Sequence, residues 1–411
     1  MWGLIKNELL KLSRKSKLYI VIGFLTVFTA IQCYAQYVDI TAKAPEKVIE
    51  ECERLIENLK NATVVQTVIQ TDENGETKTT NIELQVTDTI EDAKREMERA
   101  RRKLERMQGD WRENLKDEIK SLETLKEEAI AEGNVTRQES IITRINMLNY
   151  HLERDIEPDE EYIMKNTVIM DIITGLGAIF LAIVVMMLTV ETIAGENSSG
   201  TIKLLLTKPV SRSRIYLSKF LASLIASLGV VIAVEAAAYL IIGIIFGFGN
   251  MQAPAAIGTK YVPDQIRIAR YGMGVMPVLG STTLVPLWQK LIIVLALQSL
   301  FVVTIVSLGM FISALVKNGI SAIIFGLLIT AVLTIITTQV EGFGTIKAFA
   351  VTMPFLFSTY SAGSLILTGY MSEALSSTSI GVPLAIAVMT GWTSLFFAAG
   401  YRIFTKKDVL A

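Results

Sequence analysis

Six stretches of apolar residues, near 18–38, 167–190, 219–248, 288–316, 319–340 and 380–401, constrain this 411-residue chain more than any other feature. A helix rises about 1.5 Å per residue, so about 20 apolar residues cross a hydrocarbon core about 30 Å thick. In such a core each backbone amide has to be satisfied within its own segment, which selects helices for runs of this length. The sequence therefore predicts an all-α polytopic membrane protein with six transmembrane helices.

Charge is segregated around these runs. Residues 39–167 hold 20 Lys+Arg against 31 Asp+Glu, and the rest of the chain holds 19 against 9. Fourteen of those 19 basic residues precede the first run, lie between the second and third or the fourth and fifth, or follow the sixth. The other five, Lys260, Arg267, Arg270, Lys290 and Lys347, fall in the intervening short loops. Lys and Arg are retained on the cytoplasmic side, so both termini are expected in the cytoplasm and residues 39–166 outside. No A-x-A site follows the first run, and Gln32 before Cys33 fits a lipoprotein cleavage site poorly, so the first span is read as uncleaved. Residues 1–17 place Leu4, Ile5, Leu9 and Leu12 at helical spacing among lysines, which suits a cytoplasmic interfacial helix. Two cysteines, Cys33 and Cys52, are too few for a disulfide scaffold, and basic residues at the ends of apolar runs argue against nucleic acid.

The acidic insert, 39–166, reads as an extracellular coiled-coil and β-hairpin domain. Residues 45–61 carry Val48, Ile49, Cys52, Leu55, Ile56 and Leu59 on one face. Alternating β-branched runs then flank Asn74-Gly75, a strong hairpin signal. A long helix is expected over 88–132, with Leu104, Met107, Trp111, Leu115, Ile119, Leu122 and Leu125 repeating every three or four residues. It stops at Gly133-Asn134, and Thr136 with Glu139 makes a capping box for a return helix to about 156. Such a hairpin serves as a lid, a partner dock or a substrate collector, or only as a dimerisation stalk, because heptads report packing and not ligands.

The segment 191–218 is the most informative. Glu191, Glu196, Gly200-Thr201, the apolar run with Leu204 and Leu205, Pro209-Val210-Ser211-Arg212 and then Lys219 describe a short helix between two breaks, acidic just ahead of it and basic after it. This pattern resembles the membrane subunit of type-2 ABC transporters, whose members include bacterial exporters. The resemblance implies that the loop carries a coupling helix docking on a separate ABC ATPase, with Glu191, Glu196, Gly200, Thr201, Leu204, Leu205, Pro209 and Arg212 as the coupling residues. It further implies a second permease subunit, as homodimer or heterodimer, in a bacterial cell membrane. The large insert after the first span departs from the many members that have a short loop there. Gly195 to Gly200 mimics P-loop spacing, but Thr201-Ile202 stands where Lys-Ser/Thr is needed. No cofactor is expected on this chain, and ATP and Mg would be held by the partner ATPase.

Glu235 lies midway along the third run, where an ionised carboxylate is costly unless paired or wetted. It reads either as a substrate- or cation-contacting group in a translocation path or as a hydrogen-bonded link between spans. Asp171 and Glu341 sit near span ends, where interfacial solvation accounts for them. The segment 342–379 is too apolar for an ordinary loop and suits re-entrant or interfacial helices. One histidine, His151, leaves no His-based metal cluster or triad, so no enzyme chemistry is expected. The readings are then a membrane subunit of an ABC exporter moving a peptide, antibiotic, lipid or ion, or a non-transporting sensor or scaffold whose external stalk binds a partner. A four-span mechanotransmission protein is disfavoured by the six runs.

Overall fold

The structure is a computed structural model that describes residues 1–61, 68–71, 77–80, 83–158, 165–201, 210–339 and 347–406. It is helical throughout its apolar part, and six helices are long and apolar enough to cross a membrane. The elements group into two compact units, one of Met1–Cys33, Leu122–Ile156 and Lys165–Ala411, the other of Tyr34–Ser121 with Glu157–Met164.

An amphipathic helix α1 (Trp2–Ser13) precedes the first span, α2 (Ser16–Ala42). In the smaller unit α3 (Pro45–Asn61) packs beside α4 (Glu83–Gln108), burying Cys52 and Ile56 of one and Ala93 and Ala100 of the other. Leu55, expected on the packed face, is 42% exposed; the stripe runs through Cys52 and Ile56 at i, i+4 instead. Between these helices β1 (Val68–Thr71) pairs antiparallel with β2 (Thr77–Thr80), Thr71 opposite Thr77; the expected Asn74-Gly75 turn lies outside the described residues.

The single helix expected over 88–132 is two, α4 and α5 (Trp111–Ala131). Heptads continue across the junction, but Gly109-Asp110 breaks the backbone path. The Asp110 carboxylate accepts from the Arg112 amide at 3.0 Å and Asn114 donates to the Arg106 carbonyl at 2.6 Å. Local side-chain bonds of this kind compete with helical ones. The return helix α6 (Val135–Arg154) begins as expected, but with a different cap. Asn134 accepts from the Arg137 amide at 3.0 Å, and Glu139 does not turn back to the helix start. Its carboxylate instead accepts from the Gly280 amide at 2.5 Å and the Thr282 hydroxyl at 2.6 Å. Buried at 4% exposure, it pins α6 to the loop between spans three and four.

Span two is α7 (Lys165–Gly175), a π-turn at Leu176–Phe180, and α8 (Leu181–Thr189). The extra residue of the π-turn lets Gly177 approach the chain at Ser361, where a Cβ would stand 2.6 Å from the carbonyl oxygen. After the one-turn helix α9 (Ala194–Ser198), span three is α10 (Arg212–Phe246), starting seven residues earlier than the apolar run because Arg212, Ser213 and Arg214 form its first turn. The following loop is structured: β3 (Pro254–Ile257) pairs with β6 (Thr283–Pro286), and β4 (Tyr261–Pro263) with β5 (Val275–Pro277), around a short α11 (Gln265–Tyr271) capped by Asp264. Span four, α12 (Leu287–Leu315), is the hub: it packs against α8, α10, span five α13 (Gly319–Thr338) and span six α17 (Val382–Lys406). Between the last two lie α14 (Lys347–Thr352), two short 3-10 turns, α15 (Gly363–Leu367) and α16 (Tyr370–Ala374). Within this segment Tyr360 donates to the Pro354 carbonyl at 2.5 Å, and the Phe355 carbonyl accepts from Trp392 of α17 at 2.8 Å.

Hydrogen bonds to a charged acceptor are worth about 1.5–3 kcal/mol each, and Glu139 accepts them from Gly280 and Thr282. Glu139→Ala is therefore expected to loosen α6 from this loop, read as faster amide exchange at residues 278–282 with unchanged exchange in α12; unchanged protection at 278–282 would contradict the pinning.

Candidate functional site

The site grows from one face of α1. Ile5, Glu8 and Leu12 recur at i, i+3, i+7, all buried, and Ile5 and Leu12 pack on Ala222 of α10 with Leu221 and Ala226 beside it. The face read as lying in the interface is thus turned onto span three, with Leu4 and Leu9 half-buried at its edge. Small residues on α10 let α1 come close, which brings Glu8 over Lys219.

Lys219 is fully buried. Its ammonium donates to Glu8 Oε2 at 2.9 Å and the Thr192 carbonyl at 3.4 Å, and forms an ion pair with Glu196 Oε2 at 2.7 Å. Lys11 takes the other oxygens, Glu8 Oε1 at 3.0 Å and Glu196 Oε1 at 3.0 Å. The four groups close a ring of alternating sign with no net charge, joining α1, α9 and α10. Burial works against the Lys11 ammonium, but hydrogen bonds to Glu8 and Glu196 outweigh it and hold its pKa above the ordinary lysine value. A second pair lies alongside: Lys17, at the start of α2, bonds Glu191 at 2.8 Å and donates to the Met187 carbonyl at 3.2 Å. From the other side Ser313 of α12 accepts from the Ile193 and Ala194 amides at 2.9 and 3.0 Å. The turn 190–196 is held by α1, α2, α10 and α12 together.

Of the sequence-selected residues, Glu191 and Glu196 are thus brought together with Lys219. Gly200 ends α9 with φ of +71°, a conformation that costs a side chain roughly 1 kcal/mol or more. Thr201 is exposed beside it, its hydroxyl 2.9 Å from that of Ser199. Arg212 is set apart, donating to the Thr405 carbonyl at 3.3 Å and so tying span three to span six. Leu204, Leu205 and Pro209 lie outside the described residues. Sequence reasoning missed Glu8, Lys11, Lys17 and Ser313 as members of the site. One signal was available: Glu8 is the sole acidic residue before position 39, and it falls on the apolar stripe of its helix.

Glu235 is elsewhere, in the middle of α10, 7% exposed. Gln298 of α12 donates to its Oε1 at 2.5 Å, and Oε2 has no protein partner among the described residues. His151 is buried at the end of α6, its Nδ1 2.9 Å from the Ile156 carbonyl, and no cluster of potential metal ligands occurs among the described residues.

A family model described as ABC-2 family transporter protein matches residues 2–409, and the chain belongs to that family. It is therefore a multi-pass membrane protein, the membrane subunit of an ABC transporter, a class that works with an ABC ATPase. A comparison with curated proteins finds no match.

Removing one partner of a buried ion pair costs about 3–5 kcal/mol, because the remaining charge stays buried and uncompensated. Lys219→Met is expected to lower the unfolding midpoint of the purified protein markedly, and adding Glu196→Gln to that variant should recover part of the loss. Additive losses in the double variant would show that the ring is not a coupled unit.

Proposed function

We propose that this chain couples ATP binding and hydrolysis by a separate ABC ATPase to outward movement of a peptide, antibiotic, lipid or ion. In this reading both termini and the loop 191–218 are cytoplasmic and residues 39–166 are extracellular. The ATPase holds ATP and Mg, and two permease subunits, identical or related, form the membrane part of the complex. Leu204, Leu205 and Pro209 supply the apolar docking helix, and Gly200 and Thr201 the turn that presents it.

The observation that supports this most directly is the charge ring. A loop that receives force from a soluble partner has to be anchored to the helices that move. Glu196 fastens the start of the loop to α1 and α10, Glu191 fastens it to α2, and Ser313 fastens it to α12. Arg212 closes the far end onto α17. Closure of two ATPases would then displace spans one, three, four and six as packed elements, a rigid-body transition of the kind that opens and closes binding sites.

Glu235 we assign to the translocation path. Its carboxylate sits at mid-depth between spans three and four with one oxygen free of protein partners among the described residues, an expensive placement that intramembrane function repays.

The full-length protein purified from its native membrane is expected to carry a stoichiometric ABC ATPase, lost in Gly200→Val or Leu205→Glu. Transport by a preparation with no ATPase bound would overturn the assignment and favour a sensor or scaffold. Glu196→Gln should keep the ATPase bound but weaken the substrate response of ATP hydrolysis, by about 5- to 150-fold for coupling energies of the usual size. For Glu235, replacement by Gln keeps the bond to Gln298 and removes the charge; a substrate response identical to wild type would return Glu235 to a purely structural role.

A further inference from the structure

An apolar groove of about 480 Å³ opens between α1, α2 and α10. Leu9 and Leu12 form one wall, Leu18 and Ile22 another, and the floor is the small-residue face of α10 around Ala226 and Gly229. Along α10 the lining runs from Ile225 to Val234, a rise of about 13 Å, close to half of a hydrocarbon core about 30 Å thick. The groove therefore has the depth of one membrane leaflet.

Its mouth is basic. Lys6 and Ser13 line it, and Arg14 and Lys15 follow Ser13 in the turn before α2. Lys11 and Lys17 spend their charge inward on Glu8, Glu196 and Glu191. Lys6, Arg14 and Lys15 are exposed and have no carboxylate partner among the described residues, Lys6 lining the groove and Arg14 and Lys15 following Ser13 of its rim in the chain.

We propose that this groove holds one acyl chain of an anionic phospholipid from the leaflet on the α1 side, with Lys6, Arg14 and Lys15 receiving its phosphate. An apolar slot of leaflet depth selects a lipid tail, and the surplus of positive charge at its mouth selects an acidic headgroup over a zwitterionic one. The bound lipid completes the packing of α1 on α10 and so backs the helix that carries Glu8. The site does not depend on which side of the membrane α1 occupies, nor on the substrate moved.

The test uses the full-length protein, purified in detergent and exchanged into nanodiscs of equal parts phosphatidylglycerol and phosphatidylcholine, with retained lipid counted by native mass spectrometry after re-extraction. Wild type is expected to retain phosphatidylglycerol preferentially. A Cβ at Gly229 meets nothing within 4 Å, so Gly229→Phe fills the groove without a clash from the fold. This variant should lose the retained lipid while keeping its unfolding midpoint in detergent. Lys6→Gln should keep a lipid but lower the preference for phosphatidylglycerol, by roughly fivefold for one basic residue near an anionic surface. Equal retention in wild type and Gly229→Phe, or no headgroup preference in wild type, would overturn the proposal. A change of oligomeric state in Gly229→Phe would overturn it too, by assigning the groove to a second copy of the chain.

Discussion

Burying an ammonium group takes away a hydration shell worth several kcal/mol even after the protein relaxes, and Lys219 is buried completely. Nothing about α10 alone could accommodate it. The helix can pass Lys219 through its packed face only because a carboxylate arrives from α1, another from α9, and a carbonyl from Thr192. Each of those arrivals fixes something else. Glu8 sets the height of α1 along α10, which puts Ile5 and Leu12 on Ala222. Glu196 sets where α9 stops, and so where the loop toward residue 202 departs. Lys11 then completes the ring, so that each of the four carboxylate oxygens faces one ammonium.

The ring also explains why the apolar stripe of α1 faces protein. A basic amphipathic helix at a membrane surface would lay Leu4, Ile5, Leu9 and Leu12 into lipid and keep its charges in water. Here the stripe contains Glu8, which has no place in hydrocarbon, and the nearest buried cation is on span three. Electrostatics thus chooses the face, and the hydrophobic contacts follow. Span four contributes differently. It meets the four other core spans, and its Ser313 hydroxyl accepts from two amides that would otherwise be orphaned where α9 begins. One hydroxyl there does for the backbone what the ring does for the charges.

Much of this architecture was legible in the sequence, and the limits have physical causes. The six spans needed only run length, because the bilayer imposes the same length on every crossing helix. The acidic pair Glu191 and Glu196 stood out by its place ahead of a Gly-rich turn. Lys219 stood out with them as the end of the same motif, but its pairing with positions 8 and 196 did not, since that is set by how helices pack, which periodicity does not encode. Lys11 and Lys17 were visible only as contributors to a charge count. Glu139 misled in the opposite way: its spacing from Thr136 fits a capping box, yet its carboxylate is buried against the 280–282 loop, where it accepts from Gly280 and Thr282 instead. The break at Gly109-Asp110 was masked by heptads that continue through it, because hydrophobic period reports which faces pack and is silent on a local kink. The π-turn at Leu176–Phe180 left no trace in composition, being a response to the close approach of Ser361.

The division of labour among the basic residues before span one bears on how such a chain is oriented. In the proposed orientation, with α1 cytoplasmic, the five basic residues before span one and Lys219 are retained charges during insertion, before α1 can find α10. In the folded protein Lys11, Lys17 and Lys219 pair with Glu8, Glu191 and Glu196. The chain can afford this because acidic residues contribute little to orientation, so they can be placed among the lysines without weakening the bias. In that proposed orientation one set of side chains serves twice, first as a topological signal and then as the lock that holds the 190–196 turn to the membrane helices.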